Sequence, residues 1–393
     1  MGPFDGVRIV DLTTMISGPF ATMLLGDQGA DVVKIERPDG GDEMRHWGRQ
    51  SGPFSAPFVN NNRSKRSVAI NLKEAAGREV VKRLVSTADV FVQNFRPGVM
   101  ARLGLADEIL RPSNPRLIYV SISGFGDTGP LASKPAYDPV FQAASGLASL
   151  QGGSDLARPR MVRAMLPDKL AALNAAQAIS AALYVRERTG TGQHIKLSML
   201  DAVLSFLWSG EMDGHTFLEN QVDGPESLPP FDLIYETRDG YICVATVTSA
   251  QWAGFAKTVG HPEWLTDPRF ATSDAREINR AERLELMQEA LRSDTTDTWV
   301  EKLEAADVPC SHVHTRREIV HHPHTASSGS LIEFDHAEAG RIRQARDPAR
   351  FDQTQTKAWR MPPRLGEHTN DVLSEAGYSG EEIEKLKLSG VIA

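Results

Sequence analysis

Short apolar, β-rich runs alternate with helical patterns through the first half of the chain, and few folds accept that alternation. VRIVDL (7–12), ADVVKIE (30–36), SVAINL (67–72), DVFVQNF (89–95) and RLIYVSISGFG (116–126) read as strands. Ser17-Gly18-Pro19 opens a helix over 20–25, which Gly26 and Gly29 end. Val80, Val81, Leu84 and Val85 mark one face of another helix. Repeated β-α-β units imply an α/β fold with a mostly parallel, doubly wound, Rossmann-like sheet. Ligands of such sheets sit beyond the carboxyl ends of the strands. Those ends carry 13–17, Arg37, 94–96 and 124–126. Neither a P-loop nor a dinucleotide-binding fingerprint is read among them.

A length of 393 residues exceeds one ordinary core and suits two domains. The large domain is expected over 1–220. A linker follows at 221–231 (QVDGPESLPPF), rich in Pro, Gly and charge. A smaller α+β domain is expected over 232–326, with a strand at 240–247 and helices at 252–259, 281–291 and 298–306. Asp297 is read as the cap of the last. The stretch 327–393 returns to complete the large domain, through a connection over about 326–350 and a charged helix at 379–388.

Composition narrows the function classes. A net charge of −8 argues against nucleic-acid binding. The basic run Arg63-Ser64-Lys65-Arg66 reads as a solvated turn. No apolar run approaches the ~18 residues of a membrane span, and no secretory leader pattern opens the sequence. With two cysteines, Cys243 and Cys310, read as small buried hydrophobes, a reducing cytoplasm is expected. His321-His322-Pro323-His324 resembles a metal cluster, but Pro323 breaks helical ligand spacing, so no metal is expected. Tyr137-Asp138-Pro139 reads equally as a polar step of chemical interest after a loop and as a plain turn, and His194 as a structural or exposed residue opening a strand over 194–200.

Asp168 is the sharpest candidate for chemistry. It stands after Pro167, at the mouth of an Ala-rich helical pattern reaching about Arg188, in which Leu173, Ile179 and Leu183 supply the larger contacts. Aspartate is a favoured N-cap, which accounts for its presence without chemistry. A helix N-terminus also keeps a carboxylate ionised, and an ionised carboxylate can be a nucleophile.

An ordered set of stretches covers nearly the whole chain: GVRIVDLTTMISGPFATMLLGDQGADVVKIERPDGGD, NNRSKRSVAINLK, ADVFVQNFRPGVMARLGL, NPRLIYVSISGFGDTGP, AYDPVFQAASG, RERTGTGQHIKLSMLDAV and DPRFAT. The set resembles the class III CoA-transferases, the group that includes formyl-CoA transferase and carnitine CoA-transferase. The resemblance implies that Asp168 is the nucleophile and that acyl-CoA and a small carboxylic acid are the substrates. A mixed anhydride and an aspartyl-CoA thioester would form in turn. It implies CoA contacts at Ile16, Ser17, Arg37, Leu72, Lys73, Asn94, Phe95, Arg96, Arg102, Ala136 and Tyr137, and an interlocked homodimer. Two departures stand out. Thr14 and Ile16 replace polar ring and amide side chains of formyl-CoA transferase. ATVTSAQW (245–252) has no glycine where the family carries a glycine-rich shielding loop. The α-methylacyl-CoA racemases are the nearest rival, but their histidine matches Tyr137, and a phenol is a poor base near neutral pH. A silent acyl-CoA-binding protein would need no Asp168. Succinate is the expected donor acid.

Overall fold

The computed structural model describes residues 2–153, 156–220, 232–354 and 360–393. The chain divides into two compact units, Met1–Pro229 with Leu331–Ala393, and Pro230–Ser330. The linker expected at 221–231 lies outside the described residues.

The first unit is built on six strands, β1 (Arg8–Leu12), β2 (Asp31–Glu36), β3 (Lys65–Ala69), β4 (Val90–Gln93), β5 (Ile118–Ser123) and β6 (His194–Ser198). Their spatial order is β3-β2-β1-β4-β5-β6 and every pairing is parallel. The order reverses between β1 and β4, which opens a crevice at their carboxyl ends. In a parallel sheet both faces are covered, so the strands carry apolar residues on both. Ile9, Val32, Val90, Val92, Ile118 and Val120 face helices α1 (Ser17–Asp27) and α2 (Leu166–Thr189). Ala171, Ala172 and Ala175 are fully buried on α2, and their small side chains allow that close packing. Leu173, expected among the helix's core contacts, is instead exposed.

The opposite face packs Val10, Val33, Phe91 and Tyr119 against Val80, Val81 and Leu84 and against the chain's end. Val372, Leu373 and Ile383 of the helices Thr369–Glu375 and Gly380–Leu388 belong to this core. Residues 326–350 are more than a connection: they hold an antiparallel hairpin, Leu331–His336 with Gly340–Ala345.

The second unit has a three-stranded antiparallel sheet and helices around Trp252, Phe255, Phe270 and Trp299. The helix Thr296–Ala305 is capped by Thr295, not Asp297, because the Thr295 hydroxyl accepts from the Thr298 N–H. Cys243 and Cys310 are partly rather than fully buried. No described helix is long and apolar enough to cross a membrane.

Several local expectations are revised. α1 runs through Gly26 to Asp27, and Gly26 serves there for close packing against Ser64, where a side chain would crowd, rather than as a helix stop. The strand at 194–200 stops at Ser198, whose hydroxyl caps a helix over Met199–Leu207. Arg63, Ser64, Lys65 and Arg66 form no solvated turn; all four are buried. Lys65 and Arg66 begin β3, and their charges are neutralised in place. Arg63 pairs with Asp27 at 2.7 Å, Lys65 with Asp11 at 2.9 Å, and Arg66 with Asp31 at 2.6 Å.

Candidate active site

The loop between β1 and α1 is held from beneath by charges that water does not reach. Lys34 and Lys65 are fully buried inside β2 and β3. Burying a charge is costly unless it is paired and hydrogen-bonded, and these are. Lys34 Nζ donates to the Thr13 carbonyl at 2.8 Å and pairs with Asp42 at 2.9 Å. Lys65 Nζ donates to Asp11, Asn62 and the Pro19 carbonyl, each within 2.9 Å. Burial raises the Asp11 carboxyl, but Lys65 and Lys34 outweigh it and hold the group well below the usual carboxylate range.

These anchors fix an uncommon backbone. Met15 adopts a left-handed conformation, with φ of 67°, and its N–H donates to Asp42. Thr14 exchanges two hydrogen bonds with Asn94, at 3.0 and 2.8 Å, across the crevice where the strand order reverses. Gly18 must be glycine, since a Cβ there would lie 2.3 Å from Thr13. The loop thereby delivers Ile16 and Ser17 to the start of α1.

Asp168 meets that helix start. It is the third residue of α2, not its cap; Met165 takes the capping position without a side-chain bond. Pro167, just inside the helix, lacks an N–H that would need a partner. The Asp168 N–H donates to Asp138 Oδ2 at 3.2 Å. Asp138 is buried at the head of the helix Asp138–Ala144, and its other oxygen accepts from Gln142 at 2.7 Å. Gln142 also bonds Val162 and Ala164, so it holds the strand of chain that enters α2.

The electrostatics oppose one another. Burial, then the neighbouring Asp138 charge, push the Asp168 carboxyl up to about 6. The Ser17 hydroxyl and main-chain N–H favour its charged form. The group is therefore ionised at neutral pH yet poorly solvated, which makes it a stronger nucleophile than a carboxylate in water. Burial likewise raises Asp138.

A cavity of about 680 Å³ is lined by Asp138 and by Met165 and Lys169, which stand on either side of Asp168 in sequence. Ile16, Phe20, Met44, Met161 and Val162 give it an apolar wall, and Asp138, Gln142, Arg163 and Lys169 give it polar groups.

The other residues expected to contact CoA fall along the same carboxyl edge of the sheet. Arg37 follows β2 and is exposed, paired with Glu43 at 3.3 Å. Leu72 and Lys73 follow β3, Leu72 against the core and Lys73 in solvent. Asn94, Phe95 and Arg96 follow β4, and the last two line a second cavity of about 290 Å³. Arg102 is exposed at the end of the short helix Val99–Arg102. Ala136 packs on the core, and Tyr137, 70% exposed, precedes the helix of Asp138. The fold thus brings Ser17 and Asp168 together, with Ile16 on the adjoining cavity wall. No described hydrogen bond or ion pair joins Arg37, Lys73, Arg96 or Arg102 to Asp168. His194 is half-buried and accepts or donates to Ser121 at 2.9 Å. Gly124-Phe125-Gly126-Asp127-Thr128-Gly129 does spell a GxGxxG pattern, but it leads into turns, not a helix, and offers no helix N-terminus to a phosphate.

Sequence reading missed Asp138 as a partner of Asp168 and missed Lys34, Asp42 and Gln142 altogether. A lysine inside the apolar run DVVKIE was the available signal, because a charge in a doubly covered strand must be paired.

The model of CoA-transferase family III matches residues 4–369. Human succinyl-CoA:glutarate CoA-transferase is 33% identical over 99% of this chain and 90% of its own. Acetyl-CoA:oxalate CoA-transferase of Acetobacter aceti is 38% identical over 84% of this chain and 86% of its own. The crystal structure of a CAIB/BAIF family protein from Brucella suis superposes with a TM-score of 0.82 and 32% identity, covering 95% of this chain and 99% of that one.

Proposed function

The chain belongs to CoA-transferase family III, and from that premise we propose that it moves CoA between carboxylic acids by covalent catalysis at Asp168. The observation that carries this reading is a poorly solvated carboxylate, ionised above about pH 6, set between the start of α1 and that of α2 beside a cavity.

Asp168 attacks the thioester carbonyl of an acyl-CoA, and CoA leaves as thiolate. The product is an acyl–aspartyl anhydride. The thiolate then attacks the aspartyl carbonyl, which releases the donor acid and leaves an aspartyl-CoA thioester. The acceptor carboxylate attacks that thioester and displaces thiolate. The thiolate takes the new acyl group from the anhydride and frees Asp168. Each intermediate keeps the activation of the first thioester, so no nucleotide triphosphate is consumed. The negative charge that forms on each tetrahedral oxygen is best met by main-chain N–H groups at the helix starts, where the dipoles are positive. The apolar wall limits water, which would otherwise hydrolyse the anhydride.

Arg37, Lys73, Arg96 and Arg102 are the cations proposed for the phosphates of CoA, with Leu72, Phe95, Ala136 and Tyr137 along its length and Asn94 holding the crevice. An interlocked homodimer, a cytoplasmic location and the domain limits 1–220, 232–326 and 327–393 belong to the same proposal. Succinate is the proposed donor acid. The racemase alternative requires a second proton-carrying group opposite Asp168, and Tyr137 points to solvent instead.

The test is transfer itself. Succinyl-CoA and an isotope-labelled acid are incubated with enzyme and without ATP. Labelled acyl-CoA should form with wild type and not with Asp168→Ala. Exchange of the α-proton without transfer would replace this reading by the racemase.

A further inference from the structure

The cavity beside Asp168 is larger than a one- or two-carbon acid needs, and its wall is divided by chemistry. Phe20, Met44, Pro57, Met161 and Val162 are apolar. Arg163 and Lys169 stand on the two sides of Asp168 in sequence and both line the cavity. Neither side chain forms an ion pair among the described residues, and both are exposed. By contrast, most buried cations of this unit are matched, as Lys34, Arg63, Lys65 and Arg66 are. Lys169 also lies within reach of the charges of Asp138 and Asp168, which would otherwise repel an anion entering the cavity.

We propose, on the basis of the transferase reading, that Arg163 and Lys169 bind the distal carboxylate of the acyl group and so select dicarboxylic acids with a methylene chain between their carboxyls. One carboxyl is the reacting group at Asp168. The methylenes lie on the apolar wall. The second carboxylate meets the guanidinium, which can take it bidentately, and the ammonium. A monocarboxylic acid of equal length leaves both cations without a partner. Oxalate, with no methylene, gains nothing from the apolar wall. Charge recognition of this kind discriminates more strongly than a difference of one methylene.

The experiment compares acceptors of equal length with one acyl-CoA donor: succinate with butyrate, glutarate with valerate, adipate with hexanoate. In wild type, kcat/KM for the dicarboxylate should exceed that of its partner by about tenfold or more. Arg163→Gln and Lys169→Met should each reduce that ratio, chiefly through KM of the dicarboxylate, and the double variant should bring it close to one. A wild-type ratio near one, or a ratio that both variants leave unchanged, overturns the assignment. Intact-mass detection of the CoA adduct on Asp168 in the same samples separates the two failures. With the adduct present, an unchanged ratio overturns the role of Arg163 and Lys169 alone. With no adduct from any donor, the transferase reading falls and this assignment with it.

Discussion

At the scale of the residue, Asp168 and Asp138 act as a pair. Asp138 holds the Asp168 N–H and raises its carboxyl by proximity. Formation of the acyl-enzyme should therefore rise as pH passes through about 6, as the nucleophile loses its proton. Asp138→Asn removes the like charge, lowers the Asp168 pKa, and should move this acid limb to lower pH in single-turnover kinetics. A limb that stays in place would show that burial alone sets the value. The linkage has the opposite sign for stability. The folded carboxyl keeps its proton to a higher pH than the unfolded one, so its contribution is present at low pH and lost as pH rises through about 6. Asp168→Asn should then be more stable than wild type above that pH, by about 1 kcal/mol after discounting for solvent screening, while losing activity. Urea melts at acid and alkaline pH measure the difference. Asp168 was legible in the sequence by its place beside a proline and an Ala-rich run. Its position as third residue, and its partner 30 residues earlier, were not, since a cap and a buried acid look alike until the chain is folded.

At the scale of the element, the β1–α1 loop decides the site. Lys34 on β2, Asp42 in the segment after β2 and Asn94 just after β4 hold its backbone, and Gly18 makes room for Thr13. Gly18→Ala places a methyl group where Thr13 already is. It should cost about 2 kcal/mol or more of stability, and kcat should fall further than stability alone explains, because Ser17 moves. Thermal melts and initial rates on the same sample check both. The strands themselves were legible, because a parallel sheet buried on both faces demands continuous apolar runs, and 31–36 and 90–93 supply them. The run at 63–66 was misread for the same physical reason turned around. Four polar residues look solvated unless their partners are known, and Asp27, Asp11 and Asp31 lie on distant segments.

At the scale of the whole molecule, the first unit closes only with its last segment. Val372, Leu373 and Ile383 sit in the same core as Val10 and Phe91. Each fully buried aliphatic side chain contributes about 1.5–3 kcal/mol, so a chain ending before residue 365 should lose the cooperative transition seen in calorimetry of the full chain. Lys65→Met removes the ion-pair partner of buried Asp11, leaving it the hydrogen bonds from Thr13 and Thr22 and the charge of Lys34, and should cost about 3 kcal/mol in urea unfolding. The α/β architecture was readable from pattern. The hairpin over 331–345 was not, because its strands are mostly exposed or half-buried and the one fully buried side chain on them, Gln344, is polar. The central claim is that this fold exists to make Asp168 a nucleophile. Intact-protein mass spectrometry after mixing with a panel of acyl-CoAs tests it most directly. A CoA-sized increment that is absent from Asp168→Ala, and that disappears on addition of an acceptor acid as new acyl-CoA forms, is the predicted result. Catalytic transfer with no covalent increment, or an increment retained in Asp168→Ala, would contradict it.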